Sequence, residues 1–210
     1  MLVPLAPAAQ QPADTVELRR SICQTVDGVA VVNRLSPAFL TRILWQESRF
    51  HPDARSLAGA EGVAQFMPQT ASERGLSDPR SVSLAIAEAA RLLAELTNRF
   101  GNIGLAAAAY NAGAGRVSKW RQAQSELPVE TSRYVLAVTG RRVEEWLENF
   151  PPAQHIVRTD ERPCLEVVAE LARSGSGGSE GSVWQTRLDR ILARARALAV
   201  LRPRGGPELK

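Results

Sequence analysis

Ser36-Pro37-Ala38-Phe39-Leu40-Thr41-Arg42-Ile43-Leu44-Trp45-Gln46-Glu47-Ser48 is the stretch that decides how this 210-residue chain is read. Serine followed by proline opens a helix: the hydroxyl caps the first free N–H groups, and proline suits the first helical position, where its missing N–H costs nothing. The helix runs from Pro37 to about Phe50 with Phe39, Leu40, Ile43 and Leu44 on one face. Extending that stripe by one turn predicts the next inward position at 47, and a glutamate stands there. Burial and the negative end of the helix dipole both disfavour its charged form and raise its pKa, as suits a carboxylic acid that must hold a proton near neutrality and donate it. Rotated to solvent, or paired with Arg42 or Arg49, the same residue would be an ordinary surface glutamate.

Helical signals continue on both sides. Residues 1–13 read as a flexible leader broken by Pro4, Pro7 and Pro12. Leu2 to Ala9 is apolar but lacks a basic start, so it makes a poor signal peptide unless it is the stump of a longer one. Thr15 to Val32 carries an imperfect helical stripe through Val16, Ile22, Val26, Val29 and Ala30. An irregular stretch from His51 to Arg80 is punctuated by Pro52, Gly59, Gly62, Pro68, Gly75 and Pro79. Val82 to Phe100 reads as a long amphipathic helix closed by Gly101, and Ile103 to Ala112 as a short one whose alanines let neighbours approach closely. Val117 to Ala123 and Thr131 to Phe150 read as further helices. Strand-like alternation is almost absent, so the fold class is all-α, with a folded domain over 14–173.

Ser174 to Ser182 is a Gly/Ser linker by composition. Residues 183–210 read as a basic amphipathic helix and tail, with Trp184, Leu188, Ile191, Ala195 and Leu198 on one face and arginines on the other. This segment holds seven cationic and two anionic side chains, so the chain's net charge of +4 belongs to it, and the remainder sums to about −1. A nucleic-acid enzyme needs basic residues on the folded domain itself, so no nucleic-acid partner is expected. The tail instead suits an anionic membrane, an acidic surface or a partner protein. No apolar run approaches the length of a membrane span. His51, His155, Cys23 and Cys164 show no ligand spacing, so no dedicated zinc or iron–sulfur site is expected. The two cysteines read as buried thiols or as a disulfide joining the ends of the domain.

Beyond Glu47, a loop shaped by Gly59, Gly62, Gln65 and Pro68, together with Tyr110-Asn111 beside two glycines, offers close backbone approach, amide side chains and an aromatic face. Those are what a sugar-binding cleft needs. Four motifs are then decisive in combination. Glu47-Ser48-Arg49-Phe50-x-Pro52-x-Ala54-x-Ser56 is followed by Gly59-Ala60-x-Gly62-Val63-Ala64-Gln65-Phe66-Met67-Pro68-x-Thr70-Ala71, by Ala109-Tyr110-Asn111-Ala112-Gly113 and by Leu127-Pro128-x-Glu130-Thr131-x-x-Tyr134-Val135. In order and spacing, over roughly residues 36–146, they resemble the soluble lytic transglycosylase (SLT) family of lysozyme-like enzymes.

The resemblance implies a goose-type lysozyme-like fold that cleaves the β-1,4 bond between N-acetylmuramic acid and N-acetylglucosamine in peptidoglycan. It implies Glu47 as the single catalytic acid and base. Ser56, Gln65, Met67, Tyr110 and Asn111 match cleft residues that contact sugars or flank the acid, and Glu130 and Tyr134 match residues supporting the cleft wall. Ala64 departs from the methionine many members carry, which touches subsite shape. In the scheme the resemblance implies, one carboxylate suffices and no metal or organic cofactor is needed, because the substrate supplies the nucleophile: the muramoyl C6 hydroxyl would attack C1 and leave a 1,6-anhydro end. An inverting muramidase would instead need a base such as Asp53, Glu61 or Glu73, about 6.5 to 9.5 Å from the acid. A peptidoglycan-binding module that has lost activity is the third reading. With glycan strands as partner the resemblance implies a bacterial periplasm or envelope, where a Cys23–Cys164 disulfide would form. A monomer is expected, with residues 183–210 free to meet an envelope or secretion-apparatus partner.

Overall fold

A computed structural model of the chain describes residues 13–147 and 160–175, and the regular elements among them are helical. They are α1 (Ala13–Val32), α2 (Pro37–Ser48), α3 (Pro68–Glu73), α4 (Val82–Phe100), α5 (Ile103–Ala112), α6 (Ala114–Arg121), α7 (Val129–Thr139), a 3-10 turn (Val143–Trp146) and α8 (Cys164–Gly175). Two isolated antiparallel bridges, Arg55 to Glu61 and Glu61 to Phe66, pin the long loop after α2.

Ser36 caps α2 as its sequence requires: its Oγ accepts the Phe39 N–H at 3.2 Å, with Pro37 at the first position. The predicted stripe faces inward, with Leu40, Ile43 and Leu44 fully buried, each contributing about 1.5–3 kcal/mol by leaving water. At the centre lies α5, which packs against α4, α6, α7 and the 3-10 turn. Its residues Gly104 to Ala109 are all buried, and their small size sets the close spacing. Gly104 shows the limit, since a Cβ there would fall 2.1 Å from the Trp146 ring. Asn102 caps α5 by accepting the Leu105 N–H at 2.8 Å and donates Nδ2 to Trp146 O at 3.0 Å, which locks the turn onto the helix.

Four expectations are corrected. The helix expected over Thr131 to Phe150 starts two residues earlier and ends at Thr139, because Gly140 adopts φ 72 and terminates it; a 3-10 turn follows, and 148–150 lie outside the described residues. The stretch His51 to Arg80 contains α3, whose six residues are too few for a periodic signal. The piece expected over Val117 to Ala123 begins at Ala114. Finally, α8 runs through Gly175, so the first two residues of the expected linker are helical; the rest of that linker and residues 183–210 lie outside the described residues, as does most of the leader.

Packed on α1 and α2, α8 buries Cys164, Val167 and Val168. Cys23 and Cys164 are disulfide-bonded, with Cα atoms 5.1 Å apart. Asp27 accepts the Cys164 N–H at 2.9 Å, which satisfies a free donor at the start of α8. Just before it, Asp160 binds Arg162 and Arg42, each at 2.7 Å, and its backbone carbonyl accepts the Ser36 hydroxyl. Hydrogen bonding from Arg162 first, and from Arg42 next, holds the Asp160 carboxyl well below the usual carboxylate range.

Candidate active site

Glu47 stands half-buried in the last turn of α2, one turn beyond buried Ile43 and Leu44. The helix stops abruptly after it. Arg49 and Phe50 adopt φ 53 and φ 66, left-handed backbone that residues with side chains rarely occupy. Their surroundings enforce it: Arg49 N–H returns to Trp45 O at 2.9 Å, and Phe50 is buried edge-on against Trp45 with centroids 5.7 Å apart. Ser48 Oγ donates to Val63 O at 2.8 Å and so ties the following loop to the residue beside Glu47. The two cations that would make Glu47 an ordinary surface residue are engaged elsewhere, Arg42 with Asp160 and Arg49 over the Trp45 ring at 5.6 Å. Meanwhile the hydroxyl of Tyr134, which is 2% exposed, donates to Glu47 Oε1 at 2.7 Å.

The loop of residues 54–66 holds itself together with the polar groups expected to face sugar. Gln65, at φ 50, donates Nε2 to Ala54 O at 3.1 Å and to Gly62 O at 2.9 Å. Ser56 Oγ accepts the Ala60 N–H at 2.9 Å. Tyr110, on α5, donates its hydroxyl to Ala64 O at 2.8 Å, and its ring meets Phe66 edge-on. Glycine is required at 62, where φ is +75 and a Cβ would lie 2.0 Å from Pro79 O. These bonds use Gln65 Nε2 as donor and Ser56 Oγ as acceptor, while Met67 lies exposed at the start of α3. Desolvation, then the nearby charge of Glu47, keeps Tyr110 well above the ordinary tyrosine range, so it remains a donor. Asn111 follows it, its Oδ1 accepting the buried Thr131 hydroxyl at 2.9 Å. Glu130 lies half-buried in the first turn of α7.

Residues 26–132, half of the chain, match the model of the transglycosylase SLT domain. The chain belongs to that family. Among relatives of the SLT domain, peptidoglycan transglycosylase gp16 of Escherichia phage T7 is 41% identical over 96 residues, 42% of this chain and 7% of that protein. A putative soluble lytic murein transglycosylase of Haemophilus influenzae is 38% identical over 157 residues, 66% of this chain and 26% of that protein. The X-ray structure of an inactive Glu-to-Gln variant of lytic transglycosylase Slt from Pseudomonas aeruginosa superposes with a TM-score of 0.51 at 31% identity, covering 67% of this chain and 26% of that one. The fold is therefore that of the lysozyme-like lytic transglycosylases, and this chain spans a small part of the length of the proteins it resembles.

Within this SLT domain, the carboxylates considered as a second catalytic group have other surroundings. Glu61 sits between Arg55 at 3.3 Å and Arg80 at 3.6 Å. Glu73 accepts the Gln69 amide at 2.8 Å on the exposed side of α3, and Asp53 is exposed. A cavity of about 570 Å³ beneath the loop is lined by Glu61, Phe66, Pro68 and Leu76, among others, and Glu47 does not border it. Sequence reasoning missed buried Glu88, which pairs with Arg74 and Arg91; Arg74 also grips Glu95 through two bonds of 2.9 Å and so clamps the end of α3 to α4. It also missed Thr131, although Thr131, Tyr134, Val135 and Val138 form an i, i+3, i+4, i+7 stripe that marks the inward face of α7. Among the described residues no group of three or more His, Cys, Asp or Glu is placed to hold a metal, and no helix is long and apolar enough to cross a membrane.

Proposed function

We propose that this chain is a lytic transglycosylase that cleaves the β-1,4 bond between N-acetylmuramic acid and N-acetylglucosamine in peptidoglycan. The observation that carries the reading is the pairing of half-buried Glu47 with the hydroxyl of Tyr134 at 2.7 Å, at the end of a helix whose nearby arginines are occupied elsewhere. The Tyr134 hydroxyl fixes the orientation of the carboxyl group that transfers the proton. Glu47 protonates the glycosidic oxygen as the bond to C1 breaks, and the muramoyl acetamido group stabilises the developing cation. The Glu47 carboxylate then takes the proton of the muramoyl C6 hydroxyl as that oxygen bonds C1. The acid is regenerated, no water is consumed, and a 1,6-anhydromuramoyl end results.

Family membership and the names of the relatives support this reading, as does the engagement of Glu61 with two arginines, which leaves it poorly suited to activate a water. Ser56, Gln65, Met67, Tyr110, Asn111 and Glu130 form the cleft in this account, and the bacterial periplasm is where such a substrate lies. The test is muropeptide release from purified sacculi. Glu47→Gln is expected to lower the rate by about 10²–10⁴-fold, the usual worth of general acid–base catalysis, while co-sedimentation with sacculi persists. Mass spectrometry of wild-type products is expected to show ends one water lighter than hydrolysis leaves. Reducing muramic ends would establish a hydrolase, and an undiminished Glu47→Gln rate would remove Glu47 from the mechanism.

A further inference from the structure

One face of α7 carries two buried hydroxyls, and the chemistry above uses only the second. Thr131, 2% exposed, donates Oγ1 to Asn111 Oδ1 at 2.9 Å. Tyr134, one turn later, donates to Glu47 Oε1 at 2.7 Å. Residues i and i+3 of a helix project side by side, with Cβ atoms about 5–6 Å apart. The same face of α7 therefore meets both Asn111, from α5, and Glu47, from α2.

An asparagine amide has an acceptor end and a donor end of nearly equal shape, and its bonding partners decide which faces outward. With Oδ1 taken by the Thr131 hydroxyl, Nδ2 points the other way, and among the described residues it meets no protein acceptor. The half-buried Nδ2 is open to a ligand that brings an acceptor. A sugar hydroxyl can donate or accept and would suit either orientation of the amide. An acetamido carbonyl only accepts, so it is the group on an amino-sugar chain for which the orientation matters. We infer that Thr131 is a positioning residue: it fixes the Asn111 amide so that Nδ2 donates to an acetamido carbonyl of the glycan, and so makes the site selective for N-acetylated strands. The inference rests on the reading of the site as a glycan cleft.

The experiment uses the full chain with Thr131→Val, which keeps the shape and removes the donor, Thr131→Ser, which keeps the donor, Asn111→Ala, and the Thr131→Val/Asn111→Ala double variant. On N-acetylated peptidoglycan, Thr131→Val is expected to lower kcat/KM about tenfold, mainly through KM, and Thr131→Ser to restore most of it. In the Asn111→Ala background Thr131→Val is expected to have no further effect, since the hydroxyl acts through that amide. Calorimetric binding of an N-acetylglucosamine tetramer is expected to weaken about tenfold in Thr131→Val, with binding of the de-N-acetylated tetramer unchanged. Additive losses in the double variant, or equal weakening of both tetramers, would overturn the inference. Failure of the function reading shows separately, as wild-type protein that releases no muropeptide, and the tetramer comparison then still decides the role of Thr131.

Discussion

Reducing the Cys23–Cys164 bond is expected to lower thermal stability sharply while leaving the native site assembled. The bond spans 141 residues and joins α8 to α1 across almost the whole described fold. In the chain-entropy model, closing a loop of that length removes about 5 kcal/mol of unfolded-state freedom. A domain of this size shifts by about 2–4 °C per kcal/mol, so Tm should fall by about 10–20 °C on reduction. Other contacts keep α8 docked below that temperature: buried Val167 and Val168, the Asp27 bond to Cys164 N and the Arg42 bond to Asp160 are independent of the sulfurs. Muropeptide release at low temperature should therefore survive reduction. The assay is thermal unfolding followed by circular dichroism with and without reductant, with thiols titrated in denaturant. Cys23→Ala/Cys164→Ala should melt near the reduced protein and show no further fall with reductant. Two titratable thiols in unreduced protein, or a Tm change within about 2 °C, would refute the reasoning.

Tyr134→Phe removes the hydroxyl from Glu47 and leaves a buried ring in place, so it should cost about 10–100-fold in the rate of muropeptide release, the worth of a bond to an ionisable group, with Tm within about 3 °C; a rate loss no larger than the stability loss implies would count against a role at the acid. Gly62→Ala forces a Cβ against Pro79 O in left-handed backbone and should destabilise by roughly 2–4 kcal/mol, read as a lower urea midpoint; an unchanged midpoint would mean that the loop can move off Pro79. The Asp160 carboxyl, depressed by Arg162 and Arg42, contributes stability that is present above the usual carboxylate range and lost as pH falls toward its folded value. Asp160→Asn should therefore be less stable than wild type at about pH 7, and the difference should shrink as pH falls below about 4; a gap that widens in acid would contradict the pairing.

Much of the fold is legible in local pattern. The Ser36-Pro37 cap, the stripe of Leu40, Ile43 and Leu44, and the small residues of α5 are each read correctly because capping and burial depend on neighbours within a turn or two. The helix expected through Phe150 shows where pattern misleads: Val138, Val143 and Trp146 are all buried, yet Gly140 enters left-handed backbone and the chain turns so that Trp146 lies over Gly104. Glu47 is legible by the same logic, as a carboxylate in an apolar register.

What surrounds it is not. Glu47 meets Tyr134 across 87 residues, Tyr110 meets Ala64 across 46, and Arg42 meets Asp160 across 118. Ser56, Gln65 and Tyr110 make hydrogen bonds within the protein that build the loop, a use that depends on which backbone groups the folded chain brings within reach. The cap and stripe of α2, the register that turns Glu47 inward and most of the longer helices are legible in the chain itself, because they rest on residues within a turn or two of one another. Which hydroxyl meets Glu47, and which end of the Asn111 amide meets Thr131, follow from packing instead, because a hydrogen bond needs a donor and an acceptor within about 3 Å, and residues so far apart in the chain meet only when the helices pack.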